Sequence, residues 1–281
     1  MKTLNNKLIV YDSNCKVCSS LRELVLRFTS IPEAKIKAYK DLLSGQAQLV
    51  DTEKFKNVMA LIDTSGGKTL YGAEGVAYIF SSQYKLANAL LGFKPFYSLF
   101  SFLYKTQAYN RYIMATPKSK FECDCFPDKV VKYRICYIAI CLVISILLTA
   151  LFGISLRHFF LGITAGEAAG QMLLMAGTGW VLQILLAKIF MKDKVLDYTG
   201  HLGSIMVVGL LLLTPWMLFY FLTEIRIIYL PAVSVLISSG YMLYLHVGRT
   251  KYLRLSQVWT LTWFLLLQCT ALFWIYVLHL K

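Results

Sequence analysis

The sequence predicts an α/β domain over residues 1–125 followed by an all-α bundle of about five transmembrane helices over residues 126–281. Three observations predict it. Only 16% of the residues are charged and 57% are hydrophobic, with a mean hydropathy of +0.58, which is too little charge for a soluble domain of this length. That charge is uneven: residues 1–130 hold most of it, and long apolar runs dominate residues 135–281. Finally, Leu8-Ile9-Val10, a short apolar run, leads directly into Tyr11-Asp12-Ser13-Asn14-Cys15-Lys16-Val17-Cys18.

Leu8 to Val10 reads as a buried strand. Ser19 to Phe28 reads as a helix with Leu21, Leu24, Val25 and Phe28 on one face. The two cysteines are spaced i,i+3, so their sulfurs meet across one helical turn. Free N–H groups and the positive dipole end of the helix stabilise a thiolate on Cys15, and Lys16 adds a positive charge beside it. Ile31-Pro32 then breaks the pattern. Ala34 to Ala38 reads as a second strand with Ile36 inward, and Asp41 to Leu49 as a weak helix. Val58 to Ile62 reads as a strand, Thr64-Ser65-Gly66-Gly67 as a turn and Lys68 to Tyr71 as the returning strand of a hairpin. Helix follows from Gly72 to Phe80 and on to about Leu91. This order, led by Cys-x-x-Cys, suggests a thioredoxin-like fold.

Asp12-x-x-Cys15-x-x-Cys18 after a strand resembles the signature of the DCC (Asp-Cys-Cys) family of predicted thiol-disulfide oxidoreductases. Two further stretches are similar to that family. One is Met59-Ala60-Leu61-Ile62-Asp63 with Gly67, Tyr71-Gly72-Ala73 and Ala77; the other is Tyr109-Asn110-Arg111-Tyr112. The resemblance covers roughly residues 6–125 and implies a redox-active dithiol. Two departures stand out. Ser13 replaces the family's usual Gly, and Lys56-Asn57-Val58-Met59 lacks the proline that thioredoxins place opposite the cysteines, an absence the family resemblance also implies.

The catalytic candidates are therefore Cys15, Cys18, Asp12 and Lys16. Asp12 is either a helix cap or a carboxylate that handles protons during exchange, and the two roles are compatible. The competing readings of the cysteine pair are an inert buried pair and half of a zinc site completed by Cys123 and Cys125. Redox exchange is preferred, with no metal and no cofactor expected. The first apolar run is too short for a secretory signal. That places the domain in the cytoplasm, where a cysteine pair is more often catalytic or metal-binding than structural.

Phe96, Phe100, Leu103 and Tyr104 share a helical face that either packs on the redox domain or lies in a membrane interface, with Lys94, Lys105 and Arg111 at its edge. The expected spans are residues 133–152, 167–190, 202–222, 227–247 and 258–278, each near the length needed to cross a bilayer. Lys118, Lys120, Lys129, Lys132 and Arg134 precede the first. Lys188, Lys192 and Lys194 lie between the second and third, and Arg249, Lys251 and Arg254 between the fourth and fifth. The other loops hold only Arg157 and Arg226. This pattern keeps the redox domain in the cytoplasm and sets the C-terminus outside an inner or plasma membrane. It also accounts for the formal net charge of +14 without nucleic acid. The expected partners are the lipid bilayer and a protein or small molecule bearing a thiol or disulfide.

Within the bundle, Gly162, Gly166, Gly170, Gly177 and Gly179 suggest close helix packing. The alternative there is close approach of a flat cofactor or a lipid. Glu167 is a candidate intramembrane acid. Cys136, Cys141 and Cys269 invite comparison with a thiol relay, and His158, His201, His246 and His279 with axial haem ligands; their positions favour simple packing and span ends.

Overall fold

A computed structural model describes Leu4 and residues 6–116, 126–159, 162–227 and 229–280, with side chains through Leu278. Cys123, Cys125, Lys118, Lys120 and the His279 side chain lie outside the described residues. The chain divides into two compact units, Met1–Tyr137 and Ile138–Lys281, so the division falls inside the first long apolar helix rather than at residue 125. Packing explains the shift: Tyr133 stacks on Tyr109 at 5.0 Å, and its carbonyl accepts a hydrogen bond from Asn110 Nδ2 at 2.9 Å.

The first unit runs β1 (Lys7–Tyr11), α1 (Lys16–Phe28), β2 (Ile36–Ala38), α2 (Ser44–Ala47), α3 (Thr52–Phe55), β3 (Ala60–Asp63), β4 (Leu70–Tyr71), α4 (Ala73–Gln83), α5 (Lys85–Gly92) and α6 (Lys94–Met114). The sheet order is β2-β1-β3-β4. Strand β1 is parallel to β2, with Ile9 opposite Ile36, and antiparallel to β3, with Ile9 opposite Leu61. Strand β4 closes the edge antiparallel to β3. Alternating side chains serve both faces. Ile9 and Leu61 pack with Val25, Ile31, Met59, Val76 and Ile79, whereas Leu8, Val10, Ala60 and Ile62 pack with Val50 and Phe55.

Three local expectations change. Leu24 and Phe28 are exposed, and the buried stripe of α1 runs instead through Leu21, Val25 and Leu26. The stretch from Asp41 to Leu49 forms only the single turn α2, because Ser44-Gly45-Gln46 offers no apolar face to bury. Residues Glu33–Lys35 form a 3-10 turn after Pro32, and β2 starts at Ile36.

Gly72, before α4, takes φ +59°, and a Cβ there would lie 3.1 Å from the Tyr104 ring and 3.2 Å from Val58. Gly72→Ala is expected to destabilise the first unit by about 1–3 kcal/mol, read as a lower thermal midpoint.

Among the described residues, four helical stretches are long and apolar enough to cross a membrane: Val131–Phe159, Ala165–Thr223, Tyr229–Tyr252 and Val258–Leu278. They contain α7 (Val131–Leu156), α8 (Ala165–Met191), α9 (Val195–Leu211), α10 (Thr214–Thr223), α11 (Tyr229–Tyr252) and α12 (Val258–Ile275). The second stretch takes in two of the expected spans and folds back on itself. Gln183 Nε2 donates to Tyr198 Oη at 2.6 Å, although fifteen residues of straight helix would separate them by about 22 Å. The reversal sits at Lys192, whose φ is +44°. Lys194 Nζ donates to Leu253 O at 3.1 Å, so the α8–α9 turn and the end of α11 lie at the same end of this unit.

The glycine pattern does not form one packing stripe. A Cβ on Gly166, Gly170 or Gly177 would meet nothing within 4 Å, and Gly162 lies outside α8. Close approach belongs to Gly179, where a Cβ would come within 2.9 Å of Leu267 and Thr270 on α12.

Candidate active site

Strand β1 delivers Asp12 to a tight turn. Asp12 Oδ1 accepts a hydrogen bond from Asn14 N at 2.9 Å, and Asp12 O accepts one from Cys15 N at 3.2 Å. Ser13 does not take a positive φ, so the turn forms without the glycine that the resemblance led one to expect. Cys15 is the N-cap of α1, and its sulfur accepts a hydrogen bond from Cys18 N at 3.2 Å. A thiolate there performs the capping that Ser or Asp usually performs. It is also held at the positive end of the helix. Cys15 and Cys18 are both free thiols.

The rest of the site arrives from the far end of the first unit. Tyr112 Oη donates to Asp12 Oδ2 at 2.9 Å, and Arg111 Nη2 lies 3.6 Å from the same oxygen. Arg111 also spans the approach to β3, donating from Nη1 to Asn57 O at 2.8 Å and from Nη2 to Lys56 O at 2.7 Å. Those carbonyls belong to the segment where thioredoxins would place proline. The Asn57 side chain is pinned in turn by Asp128. Asn57 Nδ2 donates to Asp128 Oδ2 at 2.8 Å, and Asp128 N donates to Asn57 Oδ1 at 2.7 Å. Asp12 and Arg111 are both buried, so their attraction is only weakly screened by water.

These neighbours split the two sulfurs. A hydrogen bond from the Cys18 thiol lowers the Cys15 pKa from the ordinary thiol value; burial opposes it, and the Arg111 guanidinium and the Cys18 backbone N–H assist. The same thiol bond, reinforced by burial, pushes Cys18 well above that value. Cys15 is thus the better nucleophile, and Cys18 the thiol that keeps its proton. Access runs the other way. Cys15 is fully covered at 0% exposure, whereas Cys18 is half-buried and lines a cavity of about 30 Å3 with Asn57, Met59, Tyr104 and Arg111.

Of the four candidates from sequence, Asp12, Cys15 and Cys18 converge, and Lys16 does not. Its side chain is exposed, and Arg111 is the cation that acts on the sulfurs. The sequence signal for Arg111 was the Asn110-Arg111-Tyr112 motif, whose distance from the cysteines hid its role. Phe100 and Tyr104 pack on the core, while Phe96 and Leu103, expected on the same face, are exposed. Tyr112→Phe leaves the buried Asp12 oxygen short of a donor, so it is expected to lower stability by about 1–3 kcal/mol in chemical denaturation while both thiols remain titratable.

In the second unit, Glu167 closes a capping box with Thr164 at the start of α8, which accounts for it as a cap rather than an intramembrane acid. His246 has both ring nitrogens engaged, Nε2 with Tyr198 Oη at 3.0 Å and Nδ1 with Thr260 Oγ1 at 2.9 Å. His201 Nδ1 takes a hydrogen bond from Arg249 at 2.8 Å. These bonds leave His246 no nitrogen for a haem iron. Cys141 is buried and Cys269 exposed. Among the described residues, no three His, Cys, Asp or Glu side chains converge as metal ligands would. Compared with protein-family models, curated proteins and solved structures, the chain matches none.

Proposed function

We propose that the chain is a membrane-anchored thiol-disulfide oxidoreductase of the DCC type, working on a protein or small-molecule disulfide at the cytoplasmic face. The observation that carries this reading is the asymmetric pair at the start of α1. Cys15 sits at the N-cap with its sulfur accepting the Cys18 N–H at 3.2 Å, a place that favours a thiolate, and Cys18 three residues on lies within the helix and borders the cavity. Inert pairs need no such asymmetry. A guanidinium beside the sulfurs also opposes a bound zinc cation.

In the reaction, the Cys15 thiolate attacks one sulfur of the substrate disulfide. That bond breaks, and the departing thiolate takes up a proton. Cys18 then loses its proton and attacks the Cys15 sulfur, releasing the second substrate thiol. The substrate gains two electrons and two protons; Cys15 and Cys18 end as a disulfide, which a cytoplasmic dithiol reduces again. Asp12, fixed by Tyr112 and Arg111, is positioned to take part in the proton traffic. The mixed sheet with order β2-β1-β3-β4, and α1 starting at the cysteines, supports a thioredoxin-like reading of the first unit.

Five crossings with the C-terminus outside are supported by the fold-back at Lys192 and by the shared end of the Lys192–Lys194 and Arg249–Arg254 segments. Membrane contact by the first unit is supported by exposed Leu86, Leu90, Phe93, Phe96, Leu99 and Leu103. Complete coverage of Cys15 favours a second reading, a slow redox sensor that regulates the membrane bundle.

The test is a redox titration of the full chain with mass-spectrometric thiol trapping, followed by turnover of a dithiol-coupled disulfide substrate. A reversible two-electron Cys15–Cys18 couple with sustained turnover supports the enzyme. A reversible couple without turnover supports the sensor. No reversible couple would sink both.

A further inference from the structure

We infer that the cleft between α7, α8 and α9 is a binding site for a bilayer-soluble molecule with a flat, carbonyl-bearing ring, the chemical class of isoprenoid quinones. It rests on the second unit alone and does not depend on the dithiol chemistry proposed above. The cavity measures about 250 Å3. An apolar cavity of about 150 Å3 already takes benzene, so a substituted ring fits. Leu142, Ile146, Leu173, Val181 and Met206 form apolar walls.

Ser145, Thr149 and Trp180 interrupt those walls with polar groups. Ser145 and Trp180 line the cleft, and Ser145 Oγ and Trp180 Nε1 are buried with no hydrogen-bond partner among the described residues. Ser145 is only 7% exposed. An indole N–H can only donate, and a serine hydroxyl readily does, so the cleft presents donors that call for an acceptor. Leaving such groups unpaired in an apolar medium is unfavourable. Gly177 makes a further feature: it lines the cleft, and a Cβ there would meet nothing within 4 Å. The missing side chain leaves open room beside the two donors.

Depth selects the ligand. Ser145 lies about 21 Å from the start of α7 and about 17 Å from its end, near mid-membrane for a helix that spans. Phospholipid ester carbonyls sit at the edge of a hydrocarbon core about 30 Å thick and do not reach that level. Acyl chains reach it and carry no acceptor. A ring carbonyl on a hydrocarbon tail satisfies both the depth and the donors.

The test uses the full-length chain in detergent micelles and equilibrium dialysis with decylubiquinone, with decylbenzene as the carbonyl-free control. Saturable decylubiquinone binding is expected, with decylbenzene at least about 10-fold weaker. Ser145→Ala and Trp180→Phe should each weaken decylubiquinone by about 3- to 10-fold, the range of a single hydrogen bond. Gly177→Leu, checked for folding by circular dichroism and gel filtration, should abolish it. Equal affinity for both probes would make the cleft an acyl-chain slot and overturn the assignment. So would absence of saturable binding, or Ser145→Ala and a folded Gly177→Leu protein that both bind like wild type.

Discussion

On the proposed oxidoreductase reading, Cys15→Ser in the full-length chain is expected to lower disulfide reduction by at least about 1000-fold, because a serine hydroxyl cannot replace a thiolate nucleophile. Cys18→Ser should behave differently. Its Cys15 still attacks, but nothing resolves the product, so a mixed disulfide on Cys15 accumulates and appears as an adduct in intact-mass spectra. This pair of variants sets two physical effects against each other. Charge bias favours Cys15, since the hydrogen bond from Cys18 and the Arg111 guanidinium stabilise its thiolate. Exposure favours Cys18, since Cys15 is fully covered. Thiolate chemistry requires the charge first, and local opening supplies access. An adduct found on Cys18 in the Cys15→Ser protein would reverse the assignment.

Arg111→Met should have the second largest effect, in two separate measurements. In denaturation, the loss of a buried cation paired with Asp12 and bonded to the Lys56 and Asn57 carbonyls is expected to cost about 3–5 kcal/mol. In thiol alkylation, the Cys15 titration should move to higher pH. The sign follows from the charge. A guanidinium favours the thiolate, so removing it raises the thiol's pKa, and at any pH below that value less thiolate is present. Each unit of upward movement lowers the alkylation rate there by about tenfold. Arg111→Lys keeps the charge but loses the planar fork that holds two carbonyls at once. It should therefore preserve more of the Cys15 reactivity than of the stability. An unchanged alkylation profile in Arg111→Met would remove Arg111 from the site's electrostatics.

Much of the molecule could be read from local pattern. Leu8-Ile9-Val10 followed by Asp12, Cys15 and Cys18 specified a strand, a turn and a helix start, because each depends on neighbours within a few residues. The apolar stretches after residue 131 were equally legible, since crossing a bilayer is a matter of length and composition. The glycines of α8 show where such reading stops. Their spacing suggested one shared packing face, yet Gly179 alone meets α12 closely, because rotation of the helix about its axis is decided by its partners.

By itself, then, the sequence determined the order of the parts, the two sulfurs on one helical turn and the apolar character of the second half. Only the tertiary structure decided which cation serves those sulfurs. Lys16 is their neighbour along the chain, but its side chain points to solvent, and Arg111 reaches them from α6. The reason is that a charge acts through distance and burial, and neither can be read from separation along a chain.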